Sequence, residues 1–153
     1  MLSHDIRDAD GLGLKLKSEF SVDPTCPTFV MTECLLIYLQ NADSERILKW
    51  LASFFGQSPY LAILNYEMIT PHDSFGQTMI HNLMDRGCDL LGIEGCPSIA
   101  SQIDRMNTCL SGKQLKVECL EMDKVYSQKL DAAEKARIEK LEIFDEFEEW
   151  ILL

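Results

Sequence analysis

The runs Thr28-Phe29-Val30-Met31-Thr32-Glu33 and Tyr60-Leu61-Ala62-Ile63-Leu64-Asn65-Tyr66 decide the fold. Each has strand length and is mostly apolar rather than alternating, and the first follows a proline and ends on a carboxylate. Between them Ile47, Leu48, Leu51, Phe54 and Phe55 recur at i, i+1, i+4, i+7 and i+8, one face of a helix. Asn41-Ala42-Asp43-Ser44 offers caps for that helix, and Gly56 stands in its C′ position. A strand, a helix and a strand in this order, with no polar side to either strand, predict an α/β protein. Its parallel sheet would be covered on both faces.

Outward from this unit, Ala9 to Phe20 predicts a short helix of poor periodicity, which the segment from Val22 to Pro27 breaks. Asp73 caps a helix that turns Phe75, Met79, Ile80 and Leu83 inward and ends at Gly87. Pro97-Ser98 opens another, with Ile99, Ile103, Met106 and Leu110 inward. Leu115 to Cys119 alternates and predicts a half-exposed strand. Asp131-Ala132-Ala133-Glu134 starts a last helix, carrying Ile138, Leu141, Phe144, Phe147 and Trp150. No repeat, low-complexity tract or linker divides the chain, so residues 1–153 read as part of one domain.

With 14 basic against 25 acidic residues the formal charge is −11, which disfavours a generic nucleic-acid binder or a membrane-surface protein. No run of 18 apolar residues occurs, and charges stand where a signal peptide would be apolar. The six cysteines form no C-x-x-C pair and are expected to be reduced, buried thiols of a cytoplasmic protein.

Few constellations carry chemistry. Gly11-Leu12-Gly13 lacks the third glycine of a dinucleotide loop, since position 16 is Leu16, and reads as a turn or a poor helix start. His4, His72 and His81 are scattered, and no metal site is expected. No nucleophile elbow or Walker loop is present. What remains is polar residues at strand ends, where open α/β sheets bind ligands. Asp5, Glu33 and Asn65-Tyr66-Glu67 would point into one crevice. Each has a plainer reading: an Asx turn for Asp5, a cap of the following turn for Glu33, turn roles for Asn65 and Glu67. The acidic run from Glu139 to Glu149 is a solvated helix face or a docking surface for a basic partner.

At these residues the chain resembles the leucine carboxyl methyltransferase family. Pro27-Thr28-Phe29-Val30-Met31-Thr32-Glu33-Cys34-Leu35-Leu36-Ile37-Tyr38 is similar to that family's segment of Pro-Thr, apolar run, Glu-Cys and closing Tyr. Asn65-Tyr66-Glu67, Asp73-Ser74-Phe75-Gly76-Gln77-Thr78-Met79-Ile80, the segment from Arg86 to Glu94, and Arg137 to Glu142 with Asp145-Glu146-Phe147 follow in the family's order.

The resemblance implies the class I, Rossmann-like methyltransferase fold and S-adenosylmethionine as cofactor. Met1 to His4 would be the tail of strand three, Thr28 to Glu33 strand four, and Leu61 to Tyr66 strand five. It implies that Asp5 accepts from the adenine amine, that the Ile6 amide meets a ring nitrogen, and that Glu33 lies near the methionine part. Tyr38 would line the substrate pocket, and no catalytic side chain is assigned. The implied partner is the C-terminal leucine of the protein phosphatase 2A catalytic subunit. The family's glycine-rich loop, its ribose acid and its last strand have no counterpart in this sequence. The chain therefore reads as the C-terminal part of one methyltransferase domain, with an incomplete fold and doubtful activity on its own. Two other readings stand beside this one. The first is the related carboxyl methyltransferase of wybutosine formation in transfer RNA, and the second is a non-catalytic interaction module.

Overall fold

The computed structural model describes residues 2–111 and 115–141. The order is helix α1 (Ala9–Phe20), strand β1 (Thr28–Glu33), a 3-10 turn (Leu36–Tyr38), helix α2 (Asn41–Phe54) and strand β2 (Leu61–Tyr66). Then come helix α3 (Ser74–Asp85), a 3-10 turn (Ile93–Gly95), helix α4 (Ile99–Cys109), a short α5 (Met122–Lys124) running into a π turn (Val125–Lys129), and α6 (Ala132–Ile138).

β1 and β2 pair in parallel, from Thr28 opposite Leu61 to Glu33 opposite Tyr66. Parallel neighbours need a long crossover, and α2 supplies it. Its apolar face buries Ile47, Leu48, Leu51 and, just beyond it, Phe55 against Leu36, with Val30, Leu61 and Ile63 of the sheet packed on the same cluster. A smaller cluster of Ile37, Met68, Leu90 and Ile93 takes Met79, Ile80 and Leu83 from α3. Leu36 and Ile37 thus drop from one turn into two cores, which fixes the segment after β1.

The mixed α/β architecture with a small parallel sheet is the one expected, and α1 and β1 have the predicted bounds. Several expectations are corrected. The strands are not covered on both faces: Phe29, Met31 and Leu64 are 63%, 60% and 46% exposed. Their register puts them on one side of the sheet, and among the described residues helix packing supplies a core only for the other. Leu2 to His4 join no strand, and the sheet has two strands among the described residues. Leu115 to Cys119 keep the alternation of burial but make no ladder, because a strand needs a paired neighbour and the alternation records only which side chains face inward. Gln40, without a side-chain bond, takes the cap position of α2, and Ser44 is instead fully buried with its hydroxyl donating to the Asn41 carbonyl.

Leu110, just past α4, is buried in the main core and Met106 packs on it, as the spacing requires, but the buried positions within α4 itself are Gln102, Arg105 and Cys109. The last helix ends at Ile138, Leu141 beyond it is 66% exposed, and Phe144, Phe147, Trp150 and most of the acidic run lie outside the described residues. All six thiols are free, but only Cys96 and Cys109 are buried, while Cys26 and Cys88 are exposed. No described helix is long and apolar enough to cross a membrane.

Gly11 and Gly13 lie inside α1 and form no phosphate loop. A Cβ on Gly13 would sit 2.9 Å from the Phe54 ring, so this glycine lets α1 close on α2. Gly76 is tighter: its Cβ would lie 2.4 Å from the Thr70 carbonyl and 2.9 Å from Pro71 Cα, both backbone. Thr70 is itself at φ 57° and cannot easily retreat. Gly76→Ala is expected to destabilise the fold by about 1–2 kcal/mol through overpacking. The denaturation midpoint should fall with an unchanged slope, and an unchanged midpoint would mean that the turn yields.

Candidate active site

β1 delivers Glu33 at its carboxyl end, and the chain then turns through Cys34 at φ 43°. The Cys34 amide donates to the Tyr66 carbonyl at 2.8 Å, extending the ladder by one bond. Glu33 is exposed, and its carboxylate makes no hydrogen bond or ion pair among the described residues. It lines a broad cleft of about 1400 Å³ together with Asn65, Tyr66 and Glu67 from the end of β2. The other wall comes from α4 and the stretch from Leu115 to Asp123.

Asn65 is fixed across the strands, its Oδ1 accepting from the Thr32 hydroxyl at 2.7 Å. Glu67 folds back over the turn after β1, where its Oε1 accepts from the Leu36 amide at 3.0 Å. The capping role considered for Glu33 therefore belongs to Glu67, and among the described residues Glu33 makes no hydrogen bond or ion pair. Burial pushes the Glu67 carboxyl above its ordinary range, opposed by the Arg105 charge and by the amides of the turn. Burial likewise raises the Tyr66 phenol and the Cys34 thiol.

The remaining predicted residues stand outside that cleft lining. Asp5 accepts from the Arg7 amide at 3.0 Å and from the guanidinium, at 2.6 Å from Nη2. These bonds, the side-chain ones first, hold its carboxyl down at about 2. The turn reading of Asp5 thus describes its geometry, and any ligand amine would share it with Arg7. Ile6 packs its side chain on the main core, which leaves only its backbone for a ligand. Tyr38 is 37% exposed, and its phenol is raised by burial first and then by Cys34, Cys88 and Glu67. Among the described residues no His, Cys, Asp and Glu group could hold a metal.

Arg105 was not legible as a site residue. It is 8% exposed, and its Nη2 donates to Gln102 Oε1 at 2.7 Å. The available signal was an arginine at i+3 from Gln102 and four before Cys109, polar spacing on a helix otherwise read by its leucines and isoleucines.

A free carboxylate at the end of a parallel strand, beside polar groups ending the next strand, is the ligand-binding arrangement of open α/β proteins. No protein-family model matches the chain. It is 38% identical over 156 aligned positions to "Leucine carboxyl methyltransferase 1 homolog" of Arabidopsis thaliana, covering 100% of this chain and 44% of that protein. It is 39% identical to "Leucine carboxyl methyltransferase 1" of Bos taurus, covering 97% of this chain and 42% of that one. It is also 33% identical to "tRNA wybutosine-synthesizing protein 4" of Rattus norvegicus, covering 99% of this chain and 21% of that protein. The chain is thus related, along nearly its whole length, to the leucine carboxyl methyltransferase family. It spans less than half the length of these relatives.

Proposed function

We propose that these residues serve an S-adenosylmethionine-dependent methyltransferase that esterifies the C-terminal leucine carboxylate of the protein phosphatase 2A catalytic subunit. The observation that carries the reading is the 38–39% identity over essentially all of the chain to two leucine carboxyl methyltransferases. The free carboxylate of Glu33 at a parallel strand end supports a cofactor there, since a buried or paired group would have argued against it. Glu33 would accept from the methionine part, Asp5 from the adenine amine, and the Ile6 amide would donate to the ring. Tyr38 would line the acceptor pocket.

When bound, S-adenosylmethionine supplies an electrophilic sulfonium methyl group. The acceptor α-carboxylate has an ordinary pKa of about 3.5 and is already ionised near neutrality. The chain's residues therefore need not abstract a proton, and their work is to orient the acceptor and exclude water from it.

Asp5→Asn should weaken cofactor binding only a few-fold, about 0.5–1 kcal/mol, because an amide oxygen still accepts. Calorimetry with cofactor and with acceptor separately checks this, and a loss confined to the acceptor would remove Asp5 from the adenine site. Because Arg7 holds Asp5 ionised down to about pH 2, its contribution to binding should stay level across neutral pH.

The relationship to the wybutosine protein favours a second reading, in which the acceptor is a carboxyl group on transfer RNA. The net charge of −11 weighs against it. The acceptor decides. A full-length protein, with these residues in a chain of the relatives' length, should label a leucine-terminated peptide and leave transfer RNA unlabelled. Label on the RNA alone would reverse the assignment.

A further inference from the structure

The α4 helix buries Gln102 and Arg105, and the Arg105 charge acts on Glu67 across the interior. Oε1 of Glu67 is bonded to the Leu36 amide, while Oε2 is buried without a partner. Arg105 is sunk deeper still: its Nη1 reaches the buried Ser44 hydroxyl of α2 at 3.5 Å, its Nη2 reaches Gln102, and its Nε is buried without a partner. Two buried, incompletely bonded groups of opposite sign are each costly alone, and each offsets the other through the low-dielectric interior. Their line runs from the turn after β1, through the end of β2, to α4 and α2. On its other side the same turn is held by the Gly92 amide, which donates to the Ile37 carbonyl at 2.8 Å.

We propose that Glu67, backed by Arg105, is a positioning residue that sets the turn from Cys34 to Leu39 and thereby presents Glu33 to the methyl-donor site and Tyr38 to the acceptor pocket. Only its last clause rests on the methyltransferase reading. Glu67 touches neither donor nor acceptor in this scheme. It acts through the Leu36 amide, two residues before Tyr38 and three after Glu33. The charged and titratable groups facing it are Cys34 and Tyr38 from the turn, Cys96 from the segment ahead of α4, and Arg105 from α4 itself. Arg105 is the group among them that favours the ionised carboxylate.

The test is amide hydrogen exchange across the turn in the full-length protein, read as protection factors over a pH series, beside S-adenosylmethionine affinity. Glu67→Ala should lose protection at Leu36 by about tenfold or more and weaken the cofactor by a similar factor, as expected for losing a charge-assisted bond. Glu67→Gln keeps an acceptor oxygen, so it should recover most of both and lose any pH midpoint. Arg105→Gln should move the wild-type midpoint of turn protection to higher pH, whereas Arg105→Lys should hold it closer to wild type. A merely structural Arg105 would lower stability without moving that midpoint. Unchanged Leu36 protection in Glu67→Ala, or an unmoved midpoint in Arg105→Gln, would overturn the proposal. If Glu67→Ala does not fold, the Glu67→Gln and Arg105→Gln profiles decide alone. If the turn responds as expected while the wild type binds no cofactor, the methyltransferase reading falls and Glu67 stands as the anchor of the turn.

Discussion

The 153 residues expressed alone are expected to bind S-adenosylmethionine no more tightly than millimolar. Of the contacts that the family resemblance implies, these residues carry Asp5, Ile6 and Glu33, and nothing corresponding to the glycine-rich loop or the ribose acid. Each missing polar contact is worth roughly 1–2 kcal/mol. Micromolar binding amounts to about 8 kcal/mol, so losing several such contacts lowers affinity about a thousandfold. The same chain exposes Phe29, Met31 and Leu64 on one side of a two-stranded sheet, an invitation to self-association. Calorimetry beside size-exclusion chromatography reads both effects. A monodisperse monomer with clear saturable heat would mean that these residues build a complete site by themselves.

Glu33→Ala in the full-length protein is expected to weaken cofactor binding by about 1–3 kcal/mol, roughly 5- to 150-fold. The size follows from the geometry. Glu33 has no hydrogen bond or ion pair to lose among the described residues, so little change in stability should accompany the loss of affinity. That separates it from Glu67→Ala, which strips the Leu36 amide of its acceptor and removes a carboxylate on which the Arg105 charge acts. Unchanged affinity with unchanged stability would remove Glu33 from the site.

The strands and α2 were legible because their signals are local: two apolar runs of strand length and one helical face. Glu33 was legible for the same reason, as the residue on which a strand ends. The fate of Glu67 was not. Its sequence neighbours place it in a turn after β2, and only the parallel register brings it against Leu36, which lies 31 residues earlier. Arg105 on α4 was hidden by the same non-local fact, since its charge acts on a carboxylate of another element. Leu115 to Cys119 misled in the opposite direction, because alternation reports which side chains face inward and not whether a neighbouring strand exists. Asp5 was read as following the stub of a strand. In the structure it sits in a turn with Arg7, and no strand precedes it among the described residues.

The most direct measurement is the intact mass of a leucine-terminated peptide after incubation with the full-length protein and S-adenosylmethionine, run beside the same peptide as its C-terminal amide. The account predicts a gain of one methyl ester on the free acid, removed by mild base, and no gain on the amide. Equal methylation of the amide, or no gain on either peptide with cofactor bound, would contradict it.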